Sequence, residues 1–345
     1  KKVSSLHKTF GCLRHLHEAA TQYLIWVCPR RMSRAEILAV IDEKLPMATT
    51  TSPLYKLNNG VDMPVLGLGV FRSEPEKTVA AVRSALDVGY RLIDTAAVYR
   101  NEKEVGEGLR ISGVARDDIF VTTKVWLSDY GFDQTLRAFD HSVANLGLDV
   151  LDLYLIHWPA PSDFAKTIDS YKAAITLLKE GRVRSIGVSN FRPEDLDELM
   201  FETGHVPAVN QVELHPFFNQ AELRKVNQQH GILTQAWSPI GGINRYGAKA
   251  DAGAEDPLSH PVVVALARKY GKTPAQVILR WHIEIGTAPI PKSVRAERIA
   301  ENGNVFDFEL APDDVSAINA LDRNERGGPN PANVDANTFA SGKWD

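Results

Sequence analysis

The feature that most limits the folds open to this chain is an alternation. Eight short apolar runs, Leu66–Val70, Arg91–Asp94, Ile119–Lys124, Val150–His157, Val183–Ser189, Ala208–Glu213, Ile232–Ser238 and Ala288–Pro291, are separated by segments of helical period. Helices are expected near 75–88, 101–112, 134–147, 167–180, 193–203, 220–230, 261–270 with 274–285, and 295–303. A last one, near 312–321, opens on Pro312-Asp313-Asp314, a favourable helix start. Strands joined through helices run parallel. Eight such units within about 240 residues predict closure into a (β/α)8 TIM barrel. A doubly wound open sheet is the rival fold. Against it, Gly67-Leu68-Gly69 runs on into Val70-Phe71-Arg72 with no third glycine and no helix start, a weak dinucleotide fingerprint.

Ahead of the first run, Leu54-Tyr55-Lys56-Leu57 and Val61 to Val65 flank Asn58-Asn59-Gly60. Asn-Gly supplies the positive φ of a tight hairpin turn. With no obvious strand to pair with, this N-terminal β-hairpin is expected to plug the bottom of the barrel. Segment 239–260 is the longest irregular connection, of a length that usually signals a functional or mobile loop. The tail 322–345, with Gly327-Gly328-Pro329 and Pro331, is also irregular. Neither reads as a linker, so 47–345 is expected to be a single barrel domain.

The net charge of -4 conceals two unlike parts. Residues 1–46 carry eight Lys/Arg against four Asp/Glu, so they are +4 and the remainder is -8. An acidic body argues against general nucleic-acid binding. No run of about 18 apolar residues exists, so no transmembrane helix and no membrane partner are expected. Both cysteines, Cys12 and Cys28, lie in the basic leader. The body can therefore form no internal disulfide or thiolate metal site, which fits a cytoplasmic location. The leader's longest apolar run, Tyr23 to Cys28, is shorter than a signal-peptide core and is followed by Pro29-Arg30-Arg31. A transit peptide is one reading. The other is a segment that is poorly ordered or foreign to the natural product, since Met47-Ala48-Thr49-Thr50-Thr51 reads as a translation start.

In a barrel the C-terminal ends of all strands open on one face. Here that face is polar or aromatic. The second run ends at Asp94 with Tyr99 just after it, the third at Lys124-Val125-Trp126, and the fourth at His157-Trp158-Pro159. The fifth ends at Ser189-Asn190-Phe191, the sixth passes Asn210-Gln211 to Glu213 and His215, the seventh ends at Trp237-Ser238 and the eighth at Lys292-Ser293. A single ionisable group at a strand end is usually structural. An acid, a phenol, an ammonium and an imidazole from three consecutive strands suggest chemistry instead. A free tyrosine has a pKa near 10, and a close ammonium such as Lys124 is expected to lower it. Asp94 would keep that lysine charged, and a neutral His157 could orient a carbonyl. Such a pocket protonates an oxygen while hydride reaches carbon. No side chain delivers hydride, so a cofactor is required.

These residues sit in three stretches, Gly89 to Gly106, Leu178 to Phe191 and Ile290 to Asn302, by which the chain resembles the aldo-keto reductases over 54–345. Within the family, Gly147-Leu148-Asp149, Ala208 to Pro216 and Pro274-Ala275-Gln276 look most like the prokaryotic 2,5-diketo-D-gluconate reductase group. The resemblance implies Tyr99 as proton donor, Asp94 and Lys124 tuning it, and His157 orienting the carbonyl. It implies a nicotinamide stacked on Trp237, its carboxamide held by Ser189, Asn190 and Gln211, and Ser238, Ile240 and Gly241 along the pyrophosphate. Lys292, Ser293, Val294, Arg295 and Arg298 bracket a helix start, where cations are unfavourable unless an anion sits between them. A 2'-phosphate is such an anion, so NADPH/NADP+ is expected, with Glu301 and Asn302 near the adenine. Phe71, Trp126 and Trp158 predict an apolar substrate mouth.

The expected activity is reduction of an aldehyde, ketone, dicarbonyl or keto-sugar acid by a monomer, without metal. The alternative is a cofactor-binding regulatory or interaction subunit on the same fold. A metal-dependent barrel hydrolase is disfavoured because His157 and His215 are too few ligands. The sequence departs from the family pattern in the lengthened segment Gly241 to His260 and in the leader.

Overall fold

The computed structural model describes residues 52–242, 255–335 and 337–338 of the chain. They belong to a unit spanning 50–345. The leader, with Cys12, Cys28 and Met47, and the middle of the segment after the seventh barrel strand lie outside the described residues.

The described residues open on the expected hairpin, β1 (Leu54–Lys56) against β2 (Asp62–Pro64), paired antiparallel. Eight parallel strands follow: β3 (Leu68–Gly69), β4 (Leu92–Asp94), β5 (Phe120–Val125), β6 (Leu151–Ile156), β7 (Val183–Ser189), β8 (Val209–Glu213), β9 (Leu233–Trp237) and β10 (Ala288–Pro289). Each pairs with its neighbour in sequence order. The last strand then reaches the first. The amides of Gly67 and Gly69 donate to the carbonyls of Pro289 and Pro291, both at 3.1 Å, and Gly69 bridges Lys292 in parallel. The barrel is thereby closed, and the open-sheet rival is set aside.

The helices are α1 (Pro75–Asp87), α2 (Glu102–Ser112), α3 (Phe132–Leu146), α4 (Phe164–Lys179), α5 (Pro193–Thr203), α6 (Ala221–Gln229), α7 (Pro261–Tyr270), α8 (Pro274–Glu284), α9 (Ala296–Gly303) and α10 (Pro312–Asn319). Several start with proline in the first turn, where its missing N–H costs nothing. Helix α8 adds a capping box, in which Thr273 Oγ1 accepts from the Gln276 amide and Gln276 Oε1 from the Thr273 amide. Among the described residues no helix is long and apolar enough to cross a membrane.

Strand side chains alternate between two faces, and here the two faces form two cores. Outward-facing Ile93, Val121, Tyr154, Ile156, Ile186, Val188 and Ala236 pack under the helices. Inward-facing Leu92, Phe120, Leu153, Leu155, Val209 and Ala288 fill the barrel together with Leu57 and Met63 of the hairpin. The hairpin turn is tied down by its asparagines. Asn58 Nδ2 donates to the Pro207 carbonyl and Asn59 Nδ2 to the Arg184 carbonyl, each at 2.9 Å. Both acceptors lie at the N-terminal ends of strands, so the hairpin plugs the bottom. The apolar fill of the barrel stops one residue pair below the C-terminal strand ends.

Candidate active site

Continuing the same two-residue step up each strand turns the interior polar. The inward positions become Asp94, Lys124, His157, Ser189, Gln211, Glu213, Gln235 and Trp237. At the centre, fully buried Lys124 Nζ donates to Asp94 Oδ1 at 2.6 Å and to the Thr95 carbonyl at 2.8 Å. An ammonium has three N–H donors, so one remains for a further acceptor. Asp94 Oδ2 accepts from Gln211 Nε2 at 2.7 Å. Burial pushes Asp94 up and Lys124 down, each against the attraction of the other. The short contact and the two supporting hydrogen bonds hold them as a pair.

Tyr99 lies in the short helical turn Ala97–Tyr99 that follows β4, and it is only half-buried. Its ring sits over Lys124 Nζ, 5.2 Å from the centroid, with the imidazole of His157 edge-on at 5.8 Å and Phe71 edge-on at 5.0 Å. The phenol's pKa is raised well above its usual value, first by burial and then by the charge of Asp94. This corrects the sequence expectation that Lys124 would lower it. The ammonium is 2.6 Å from a carboxylate, so little of its field reaches the phenol uncompensated. Tyr99 is a phenol at neutral pH, not a phenolate.

His157 is boxed by Trp126, edge-on at 5.0 Å, and Trp158, stacked at 6.4 Å. Burial and the nearby Lys124 charge hold its pKa well below the usual imidazole value, so the ring is neutral. Its Nδ1 is buried without a hydrogen-bond partner. A buried donor left unpaired is rarer than an unpaired acceptor, which favours the tautomer with the proton on Nε2. The three sequence-predicted aromatics, Phe71, Trp126 and Trp158, therefore do converge on the Tyr99–His157 pair.

Ser189, Asn190, Gln211 and Trp237 form one hydrogen-bonded lattice beside this centre. Ser189 Oγ donates to the Gln211 carbonyl at 2.7 Å, and Asn190 Nδ2 donates to the His157 carbonyl at 3.0 Å. Trp237 Nε1 donates to Asn190 Oδ1 at 2.9 Å. Gln211 Nε2 is shared between Asp94 and Gln235 Oε1, the latter at 2.7 Å. Gln211 is thus a link between the lattice and the ion pair, a connection that its type alone did not announce. Asn190 (φ 66°) and Ser238 (φ 48°) take left-handed backbone directly at the ends of β7 and β9. Such geometry costs about 1–3 kcal/mol and gathers at functional sites.

Ser238, Ile240 and Gly241 lie where the chain leaves β9, and the Gly241 amide donates to the Ser238 carbonyl at 2.9 Å. Around the start of α9, Lys292, Arg295 and Arg298 are exposed, and none is in an ion pair among the described residues. Burial and Lys77 push the Lys292 pKa down, against Glu74. Ser293 Oγ accepts from the Arg295 amide at 3.2 Å, and Val294 lies between them. Glu301 already accepts a hydrogen bond from Thr273 Oγ1 at 2.7 Å, and Asn302 is buried. Three cations without an ion pair around a helix start fit a bound phosphate.

Sequence reasoning missed several supports. Tyr130 clamps the end of β6, its hydroxyl donating to the Trp158 carbonyl at 2.6 Å and accepting from the Trp158 amide at 2.9 Å. His282 Nε2 lies 3.0 Å from the Pro239 carbonyl, at the root of the segment after β9. Buried Asn101 bridges Thr95 Oγ1 and the Val70 carbonyl, bracing the turn that carries Tyr99. A Cβ on Gly106 would sit 2.8 Å from the carbonyl carbon of Leu146, so α2 can lie against α3 only with glycine there. Among the described residues no group of three or more His, Cys, Asp or Glu side chains could hold a metal ion.

Residues 65–323 match the aldo/keto reductase family. This chain belongs to that family. It is therefore an oxidoreductase. It is 52% identical over 290 residues to morphine 6-dehydrogenase of Pseudomonas putida, an alignment covering 84% of this chain and 98% of that one. It is 46% identical over 288 residues to the glyoxal reductase of Bacillus subtilis, covering 83% and 98%. Among solved structures, the Bombyx mori aldo-keto reductase in complex with NADP superposes with a TM-score of 0.76 at 35% identity, covering 84% of this chain and 97% of that one.

Proposed function

We propose that the protein reduces a carbonyl to an alcohol with NADPH. When bound, the reduced nicotinamide would supply the hydride to carbon. What the chain itself does follows from the cluster at the rim. Tyr99 is protonated and half-exposed, so its hydroxyl is available to donate to the carbonyl oxygen. The Lys124 ammonium, 5.2 Å from the centre of the same ring, keeps an unused N–H that could turn to the charge developing on the phenol oxygen. Neutral His157, with its proton on Nε2, is suited to hold the carbonyl oxygen by a hydrogen bond and fix its approach. Asp94 keeps Lys124 charged despite full burial. The observation that carries the reading is this single grouping of phenol, ammonium and neutral imidazole beside the Trp237 lattice.

The cofactor reading rests on this chain's own residues. Trp237 offers an aromatic face, and Ser189, Asn190 and Gln211 carry the amide and hydroxyl groups that a carboxamide can join. Ser238, Ile240 and Gly241 would follow the pyrophosphate, and the cations Lys292, Arg295 and Arg298 suit a 2'-phosphate. The Bombyx mori relative is a complex with NADP, in agreement with that choice. Phe71, Trp126 and Trp158 give an apolar mouth, and the glyoxal reductase relative supports small aldehydes and dicarbonyls as substrates. All of the named groups lie on one barrel, so a monomer suffices.

The test is a panel of glyoxals, diketones, keto-sugar acids and aromatic aldehydes, followed by the loss of reduced-cofactor absorbance. Turnover of at least one class with NADPH is expected. NADPH binding without turnover of any would instead favour the regulatory-subunit role.

A further inference from the structure

Strand β8 ends at Glu213, whose Cα is paired with that of Trp237 across the sheet. The side chain is fully buried, yet neither the proton-transfer cluster nor the cofactor lattice uses it. A buried carboxylate must be supplied with donors. Most of them come from the C-terminal tail, more than a hundred residues further on. The Gly327 amide donates to Oε1 at 2.6 Å and the Gly328 amide to Oε2 at 3.0 Å. Arg326 Nη1 stands 3.8 Å from Oε2, and His215 Nε2 3.1 Å from Oε1. The loop after β8 joins in, since the Arg323 and Glu325 amides both donate to the Phe217 carbonyl.

What this fastening does to the rim is visible at Gly328. A Cβ there would lie 2.7 Å from Cη2 of Trp237 and 3.1 Å from Glu213 Oε2. The tail backbone therefore rests directly on the benzo edge of the indole. The other end of the ring is fixed by Nε1 on Asn190 Oδ1. The indole is thus held at both ends, by a lattice side chain and by a tail that one buried carboxylate pins in place. Beyond the pin, Pro331 and Val334 are buried, and the turn Pro331–Asn333 packs on the turn Pro161–Asp163 that follows β6.

We propose that Glu213 is a positioning residue for cofactor binding: it locks the Gly327-Gly328 amides so that the tail sets the plane of Trp237. The proposal rests on Trp237 being the ring against which the nicotinamide stacks. A tail anchored for stability alone would lower the melting temperature when released but leave cofactor affinity untouched. A tail that sets the indole plane changes the affinity.

The experiment compares Glu213→Gln, Gly328→Ala and Trp237→Ala in the full chain. NADPH dissociation constants are taken by calorimetry, and kcat and KM for NADPH by steady-state turnover. Gln presents an NH2 group to one of the two tail amides, donor against donor, and Ala at 328 pushes on the indole while leaving both tail amides in place. Each is expected to raise the dissociation constant and KM for NADPH about tenfold while kcat changes less than about threefold. Gly328→Ala decides the matter if Glu213→Gln does not fold. Parent-like NADPH affinity in both variants, with Trp237→Ala clearly weakened, would overturn the positioning role and leave the stacking reading intact. Parent-like affinity in Trp237→Ala would overturn the stacking reading, and the positioning role with it.

Discussion

Replacing Lys124 by Met keeps all but the terminal atom's length of a side chain with no exposed atoms and removes its charge. Asp94 then keeps only the Gln211 amide as donor, inside a site whose burial already raises its pKa. Breaking a buried pair from one side costs about 3–5 kcal/mol, because the other charge is left without compensation. For a barrel of this size each kcal/mol is worth roughly 2–4 °C in melting temperature, so a drop of about 6–20 °C is expected. The double variant Asp94→Asn with Lys124→Met removes both charges and retains an oxygen for Gln211 to donate to. It should recover more than half of the loss, since replacing both members of a buried pair is often nearly neutral. Thermal unfolding followed by circular dichroism on parent, both single variants and the double variant closes the cycle. Carbonyl reduction should fall at least about a hundredfold in Lys124→Met and should not return in the double variant. A single variant melting with the parent, or a double variant that reduces carbonyls at the parental rate, would refute the claim that the pair is both buried and chemically engaged.

Two further outcomes follow from charge. Burial holds His282 down to about 3 and His157 well below its usual value, so both are neutral when folded and take up a proton only on unfolding. Folded pKa values below the unfolded one mean that stability is full above about pH 6.5 and falls as the pH drops, by about 1.4 kcal/mol per pH unit for each ring. Denaturant unfolding between pH 7 and 4.5 should show that slope for the two together, and a flat profile would show that neither ring is neutral when folded. Asp94, pushed up, works in the opposite sense, from its raised folded pKa down to the ordinary carboxylate value. For the cofactor, Lys292→Ala with Arg298→Ala should weaken NADPH by at least about tenfold and NADH less than about threefold, since even one charge-assisted hydrogen bond is worth about 1.5–3 kcal/mol. A parent that already prefers NADH would rule out the phosphate site.

Much of this was legible in sequence for one reason. A barrel opens the C-terminal ends of all its strands on one face, so Asp94, Lys124, His157, Ser189, Gln211 and Trp237 could be placed on one rim from their positions at strand ends. The hairpin was equally readable, because Asn59-Gly60 encodes its turn locally. The protonation state of Tyr99 was not readable, since its sign depends on how completely Asp94 cancels Lys124. The role of Glu213 was hidden for another reason: its main partners are backbone amides of Gly327 and Gly328, and backbone donors leave no side-chain signature. Tyr130 escaped in the same way, because its hydroxyl serves the main chain of Trp158.

The central claim is that the Tyr99 hydroxyl delivers the proton. Tyr99→Phe removes one oxygen from a half-exposed ring and leaves Trp237, Asn190 and the cations around α9 in place. Measured on one preparation, carbonyl reduction should vanish while the NADPH dissociation constant stays within about threefold of the parent. A Tyr99→Phe variant that still reduces its carbonyl at a rate near the parent's would contradict the account.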